Sequence, residues 1–398
     1  MQTPKPWTFP RLWAGFVLLL LGVSYPLWFP IGAASEYPSV SLVNLNGPVA
    51  AGPAVILIAA LIAVVVAPNR LRWSWWLVAG CLGCSFLIDQ HRLQPWAYQT
   101  AIYACVFASL QPTAARSWLI PFVASIYIYS AAGKFDYQFG HTVGQEFLST
   151  ALSPFGGMPA DWDSSLRAKV ALVFPALELS AGLGLLVPMT RRYAAALAML
   201  MHVSLLWMLG PWGLGHSMGV LVWNVALIAQ GYFLFIVQVP GQPTEESQSA
   251  TAPLACGLVI AALFAPLTER WAYWDHWPSW ALYAPHNSRV DVEVHQSVIA
   301  RLPESLQLYV DEDTNADRWH ELKTADWSLG VRKVPIYPQA RYQLALADRV
   351  ASWYSLKDGI RLRQRSQSDR WTGRRQEQQW LGEQEIKRAL QQFWLTGQ

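Results

Sequence analysis

Nine stretches of this chain stay apolar over roughly the 20 residues that a ~30 Å hydrocarbon core requires of a helix: about 11–30, 50–68, 72–88, 95–112, 116–133, 168–188, 191–210, 216–237 and 252–268. In lipid every backbone N–H and C=O must be satisfied within the segment, so each stretch is expected to be an α-helix. The expected fold is mainly α: a polytopic transmembrane bundle of about nine helices followed by a small α+β extramembrane domain. The N-terminal run "RLWAGFVLLLLGVSYPLWFP" has the basic start of a signal peptide. It lacks a small-x-small cleavage site and is followed by further apolar runs, so it reads as the first membrane helix.

Charge divides the chain. Of its Asp, Glu, Lys and Arg residues, 20 fall within 1–268 and 35 within 269–398. The expected organisation is a bundle over 1–238, a polar Pro/Ser-rich linker over 239–251, a last span over 252–268 and a soluble α+β domain over 269–398. The 22 tryptophans suit membrane interfaces. Net charge of +3 gives no argument for nucleic acid, and lipid is the expected partner. The basic run 361–388 reads either as a solvated helix face or as a lipid-headgroup patch. "CLGC" (Cys81, Cys84) reads as small residues packing between helices, with a redox pair as the alternative.

Basic residues before the first helix and between helices 2/3, 4/5 and 6/7 share one side if the helices alternate. The positive-inside rule then puts the N-terminus in the cytoplasm and the tail in the periplasm of a bacterial inner membrane. The loop 134–167 lies outside and carries an amphipathic piece, "TVGQEFLSTAL". In the tail, "RVDVEVHQ" and "LQLYVDED" alternate as strands, while "QARYQLALADRVASWY" and "WLGEQEIKRALQQFW" read as helices.

Polar residues at helix ends raise the question of function. "FLIDQHRLQPWAYQ" carries Asp89, His91, Arg92, Trp96 and Tyr98. "YIYSAAGKFD" places Tyr127, Ser130 and Lys134 at i, i+3 and i+7, on one helix face, with Asp136 just beyond. Glu178 and His202 are mid-span, where an ionisable group must be paired, neutral or facing a cavity, and a contact between them is expected. Lys134 has two readings: an interfacial anchor partnered by Asp136, or a base with a depressed pKa in a desolvated cavity. The eight histidines show no i, i+4 pairing, H-E-x-x-H or H-x-x-E-H, so no metal site is expected.

"YSAAGKFD" followed by "ELSAGLGLLVPMTRRYAAALAMLMHVSLLWMLGPWGLG" resembles the horizontally transferred transmembrane (HTTM) domain of the vitamin K-dependent gamma-carboxylase family, over about 75–240. The resemblance implies that Lys134 is the base that starts hydroquinone oxidation, with Glu178 and His202 beside it. It also implies a quinone-like cofactor near Trp96, Tyr98, Tyr127, Ser130 and Asp136, and redox or carboxylation chemistry. Trp96 stands where that family has a histidine. "DQHRLQPWAYQ" also resembles DoxX- and MauE-like small membrane proteins. The alternative reading is therefore a non-enzymatic scaffold or assembly factor whose Trp-rich tail docks a periplasmic partner. Whether the chain is an enzyme stays open at this level.

Overall fold

A computed structural model describes residues 8–43, 47–67, 71–237, 249–312 and 316–393. Most of the expected linker 239–251 lies outside the described residues. The chain is 66% helical, with roughly 17 helices among the described residues. Helices occupy all nine expected places, but among the described residues five are long and apolar enough to cross a membrane: Val49–Val66, Ser164–Leu186, Arg191–Leu209, Met218–Ile236 and Ala252–Trp271. The other four fall short for identifiable reasons. Phe9–Val23 and Pro95–Ser109 have only 15 residues each. Pro112–Lys134 has 23, but includes Arg116, Ser117, Ser125, Ser130 and Lys134. Leu71–Ile88 dilutes its apolar residues with Arg72, Ser74, Ser85 and two glycines.

The chain forms two compact units. The first comprises Met1–Gly22, Val55–Gly83 and Pro95–His286. Its helices approach closely where side chains are small, the usual solution when lipid supplies no hydrophobic drive between helices. A Cβ on Gly182 of helix Val173–Leu186 would lie 2.8 Å from Ile128 Cγ1 and 3.1 Å from the Ala124 carbonyl of helix Pro112–Lys134. A buried amide cluster ties further helices together: Gln99 donates to Gln230 at 2.7 Å, Tyr103 to the same oxygen at 2.6 Å, and Trp223 to Gln99 at 3.0 Å. Cys81, near the end of this unit's Val55–Gly83 stretch, is a buried free thiol; Cys84, on the same helix but in the second unit, is an exposed one.

The second unit gathers Val23–Ala54, Cys84–Gln94 and Asn287–Gln398. It holds a four-stranded antiparallel sheet ordered β2-β1-β3-β4: β1 Arg289–His295, β2 Trp319–Leu322, β3 Ile360–Arg365 and β4 Glu377–Leu381. Val290, Val292 and Val294 point alternately into the core, as the period of a strand dictates. "LQLYVDED" is not a strand. Glu304–Gln307 is helical, and only Val310 bridges to Leu322.

The basic run from 361 begins as β3, not as a helix face. Arg361 pairs with Glu293 and Asp317, and Arg365 with Asp291 and Glu377. Acidic neighbours thus meet these arginines across the ladder. Helix Ala340–Trp353 covers the sheet, and helix Gly382–Leu390 closes the unit.

Asp89, His91 and Arg92 belong to this second unit. The Arg332 guanidinium, 2% exposed, donates to Asp89 at 2.5 Å and to the Tyr37 carbonyl at 3.0 Å, and lies 4.3 Å from the Tyr37 ring centroid. Arg92 donates to the carbonyls of Leu27, Trp28 and Ala50. Burial alone would raise the Asp89 carboxyl, but Arg332, Arg92 and His91 outweigh it and hold it below the usual carboxylate value. Burial, reinforced by Arg332, pushes His91 down to about 4. These polar residues, which look like a membrane site in the sequence, pin three distant stretches of chain together.

Candidate functional site

Helix Pro112–Lys134 ends at Lys134, and Asp136 then caps the next turn by accepting from Phe139 N at 2.7 Å. The cap takes Asp136 Oδ1, while Oδ2 faces Arg270 at 3.3 Å and His286 at 3.5 Å, away from Lys134. Lys134 turns elsewhere. Its Nζ donates to Ser130 Oγ, one turn back, at 2.6 Å and to Glu178 Oε2 at 2.6 Å. The two charged side chains are only 7% and 12% exposed. The partner of Lys134 is Glu178 rather than Asp136.

His202 does not meet Glu178. It lies 2.9 Å from the Tyr127 hydroxyl and 2.8 Å from Asn224 Oδ1, and Asn224 in turn donates to the Val220 carbonyl at 2.9 Å. Asn224 Oδ1 can only accept, so His202 Nδ1 carries the proton and Nε2 accepts from Tyr127. The helix face shared by Tyr127, Ser130 and Lys134 is thus satisfied by two neighbouring helices: Val173–Leu186 through Glu178, and Arg191–Leu209 through His202.

Trp96 and Tyr98 are engaged elsewhere. The Trp96 carbonyl accepts from Thr100 at 2.7 Å, and the Tyr98 ring lies 5.3 Å from that of Trp280. A cavity lined by Arg72, Ser109, Gln111, Trp118, Pro253 and Cys256 lies at the opposite end of the Lys134 helix.

A second cluster has no counterpart in the sequence expectations. Glu269, His276 and His286 are buried, and one ligand atom from each lies within 4.8 Å of the others. Glu269 sits at the end of the last candidate span, and both histidines belong to the irregular Trp-rich stretch beyond it. Asp136 is beside them, 3.5 Å from His286 Nδ1 and 3.3 Å from Arg270. Spacings of 7 and 10 residues on irregular backbone follow no helical or strand period, so no linear pattern could reveal the group.

Length and hydropathy of five helices define an integral membrane protein, within which Lys134 pairs with Glu178 and His202 with Tyr127. Residues 113–211 match the family described as methylamine utilisation protein MauE. No curated protein and no solved structure matches the chain. The MauE match overturns the resemblance to the HTTM domain and gamma-carboxylase. "YSAAGKFD" and "ELSAG" through His202 and Gly210 all fall inside the matched stretch. The match begins one helix later than "DQHRLQPWAYQ", the segment whose sequence resembles DoxX- and MauE-like proteins.

Proposed function

We propose that this chain is a membrane-embedded accessory protein that supports the assembly or retention of another protein, as an accessory of the MauE type. The observation that carries the reading is the family match over 113–211, which takes in Lys134, Glu178 and His202. The paired state of those groups agrees with it: Lys134 is neutralised by Glu178, and His202 is held between Tyr127 and Asn224. Together they act as polar clamps that set helix packing. The second unit offers Leu308, Trp353 and Trp371, all more than half exposed, as contact points for a partner.

The test is site-specific photocrosslinking from Trp353 and Trp371 in the native host, combined with deletion of the gene. An adduct with one protein, whose abundance falls on deletion and returns with both wild type and Lys134→Met/Glu178→Met, supports the accessory reading. Absence of any adduct, with no protein lost on deletion, overturns it. Restoration by wild type but not by a stably folded double variant would also overturn it, because the pair would then have a role beyond packing.

A further inference from the structure

The hydrogen bonding around Glu269 leaves a place for a cation. His276 Nε2 is 3.0 Å from the Ala284 carbonyl, and His286 Nδ1 is 3.2 Å from the Gly133 carbonyl. A carbonyl can only accept, so each of those nitrogens must carry its proton. In a neutral imidazole the opposite nitrogen is then a bare lone pair. Those opposite nitrogens face the same carboxylate. His276 Nδ1 is 3.1 Å from Glu269 Oε1, and His286 Nε2 is 3.1 Å from both Oε1 and Oε2.

Lone pairs facing carboxylate oxygens repel unless something positive sits between them. Two protons would create two adjacent imidazolium rings, whose centroids are 4.9 Å apart and whose side chains are 4% and 0% exposed. One divalent cation satisfies all three groups at once. The surroundings match those of a metal centre, where each histidine ligand donates its outer N–H to a carbonyl or carboxylate. Here Gly133 and Ala284 supply carbonyls, and Asp136 adds a carboxylate beside His286 Nδ1.

Gly133 permits the approach. A Cβ there would lie 3.2 Å from Ala284 Cβ and 3.4 Å from His286 Cε1. The segment carrying the histidines also holds Ala272, Trp280 and Tyr283 at φ of 59°, 60° and 56°, conformations that persist only where surrounding structure over-determines them.

The geometry points to a binding site for a divalent first-row cation of the zinc class, ligated by the Glu269 carboxylate, His276 Nδ1 and His286 Nε2. Nitrogen and oxygen donors in a two-histidine, one-carboxylate set suit zinc and leave a position for water or a fourth ligand. The ion would staple the stretch after the last span to the end of the Lys134 helix through Gly133 and Asp136. This inference does not depend on the accessory reading, because its readout is metal content and spectrum.

The full chain is purified in detergent, stripped with chelator and titrated with Zn²⁺ or Co²⁺. The expected result is about one ion per chain, with cobalt d–d bands, no thiolate-to-cobalt charge transfer, and a zinc-dependent rise in Tm. His276→Ala and His286→Ala should abolish the bands, and Asp136→Asn should weaken binding about 10- to 100-fold. The wild-type titration decides even if a variant fails to fold. A folded wild type with no cobalt bands and no Tm shift overturns the site. So does binding through thiolate, or binding unchanged in folded histidine variants.

Discussion

The Lys134 ammonium lies 2.6 Å from the Glu178 carboxylate, joining the end of one helix to the middle of another 44 residues later. Removing one partner of a buried pair strands the other charge, whereas replacing both by apolar groups leaves nothing stranded. Lys134→Met or Glu178→Gln alone should destabilise the bundle by about 3–5 kcal/mol, and Lys134→Met/Glu178→Met by far less. Thermal unfolding in one detergent compares the three. A double variant as unstable as the singles would rule out the simple clamp.

Helix Val173–Leu186 packs through Gly182, and a methyl group there would meet Ile128 and the Ala124 carbonyl. Gly182→Ala should destabilise by about 1–3 kcal/mol through overpacking. By contrast, Gly80→Ala, with open space around its Cβ position, should leave Tm unchanged or raised. The two Tm values, measured side by side, check the claim.

The second unit should weaken in mild acid because of His91. Its Nε2 donates to the Pro335 carbonyl at 2.9 Å and its Nδ1 faces Arg332 at 3.4 Å, so the fold holds the neutral ring, with its pKa pushed from 6.5 down to about 4. The unfolded chain takes up the proton first as pH falls. Stability is therefore full above about 6.5 and lost progressively toward about 4. The loss is on the order of 3 kcal/mol. Asp89, also held below its usual value, adds its own loss only in more acidic solution, below 3.8. Hydrogen exchange of β1 and β3 amides between pH 7 and 4 reads the first effect, and His91→Gln should flatten it.

Arg332 should not tolerate lysine. Its fork reaches both Asp89 and the Tyr37 carbonyl while its plane covers the Tyr37 ring, and an ammonium cannot do all three. Arg332→Lys and Arg332→Ala are both expected to cost about 3–5 kcal/mol. Limited proteolysis of the second unit measures this, with the Lys134 pair variants as controls. Resistance equal to wild type in Arg332→Lys would contradict the network.

Some of this was legible in the sequence. Apolar runs mark places where helices form, though the described helices number roughly 17 rather than nine, and residue spacing puts Ser130 and Lys134 on one face, where they do bond. Alternation finds β1. Other features depend on where distant segments meet. Nothing local says that Lys134 pairs with Glu178 rather than Asp136, whose carboxylate is taken up by Phe139 N, Arg270 and His286. Gln99 and Gln230 are 131 residues apart and look like ordinary polar interruptions. The charged strands β3 and β4 hide their period because arginines and glutamates meet across the sheet instead of facing water alone. The polar cluster at 89–92 gives the opposite lesson: its ionisable groups draw attention as chemistry and turn out to be cross-braces.

The partners Asp89 and Arg332 lie 243 residues apart. At about 5–20 residues per second, a ribosome takes roughly 12–50 s to deliver the arginine after the aspartate has emerged. Throughout that interval the carboxylate at the end of a nascent hydrophobic helix lacks its guanidinium. The buried pair that Asp89 forms in the finished chain is incomplete until then. A chain ending before residue 332 lacks the guanidinium that this carboxylate meets in the fold, so the last part of the sequence completes a brace laid down near its first quarter.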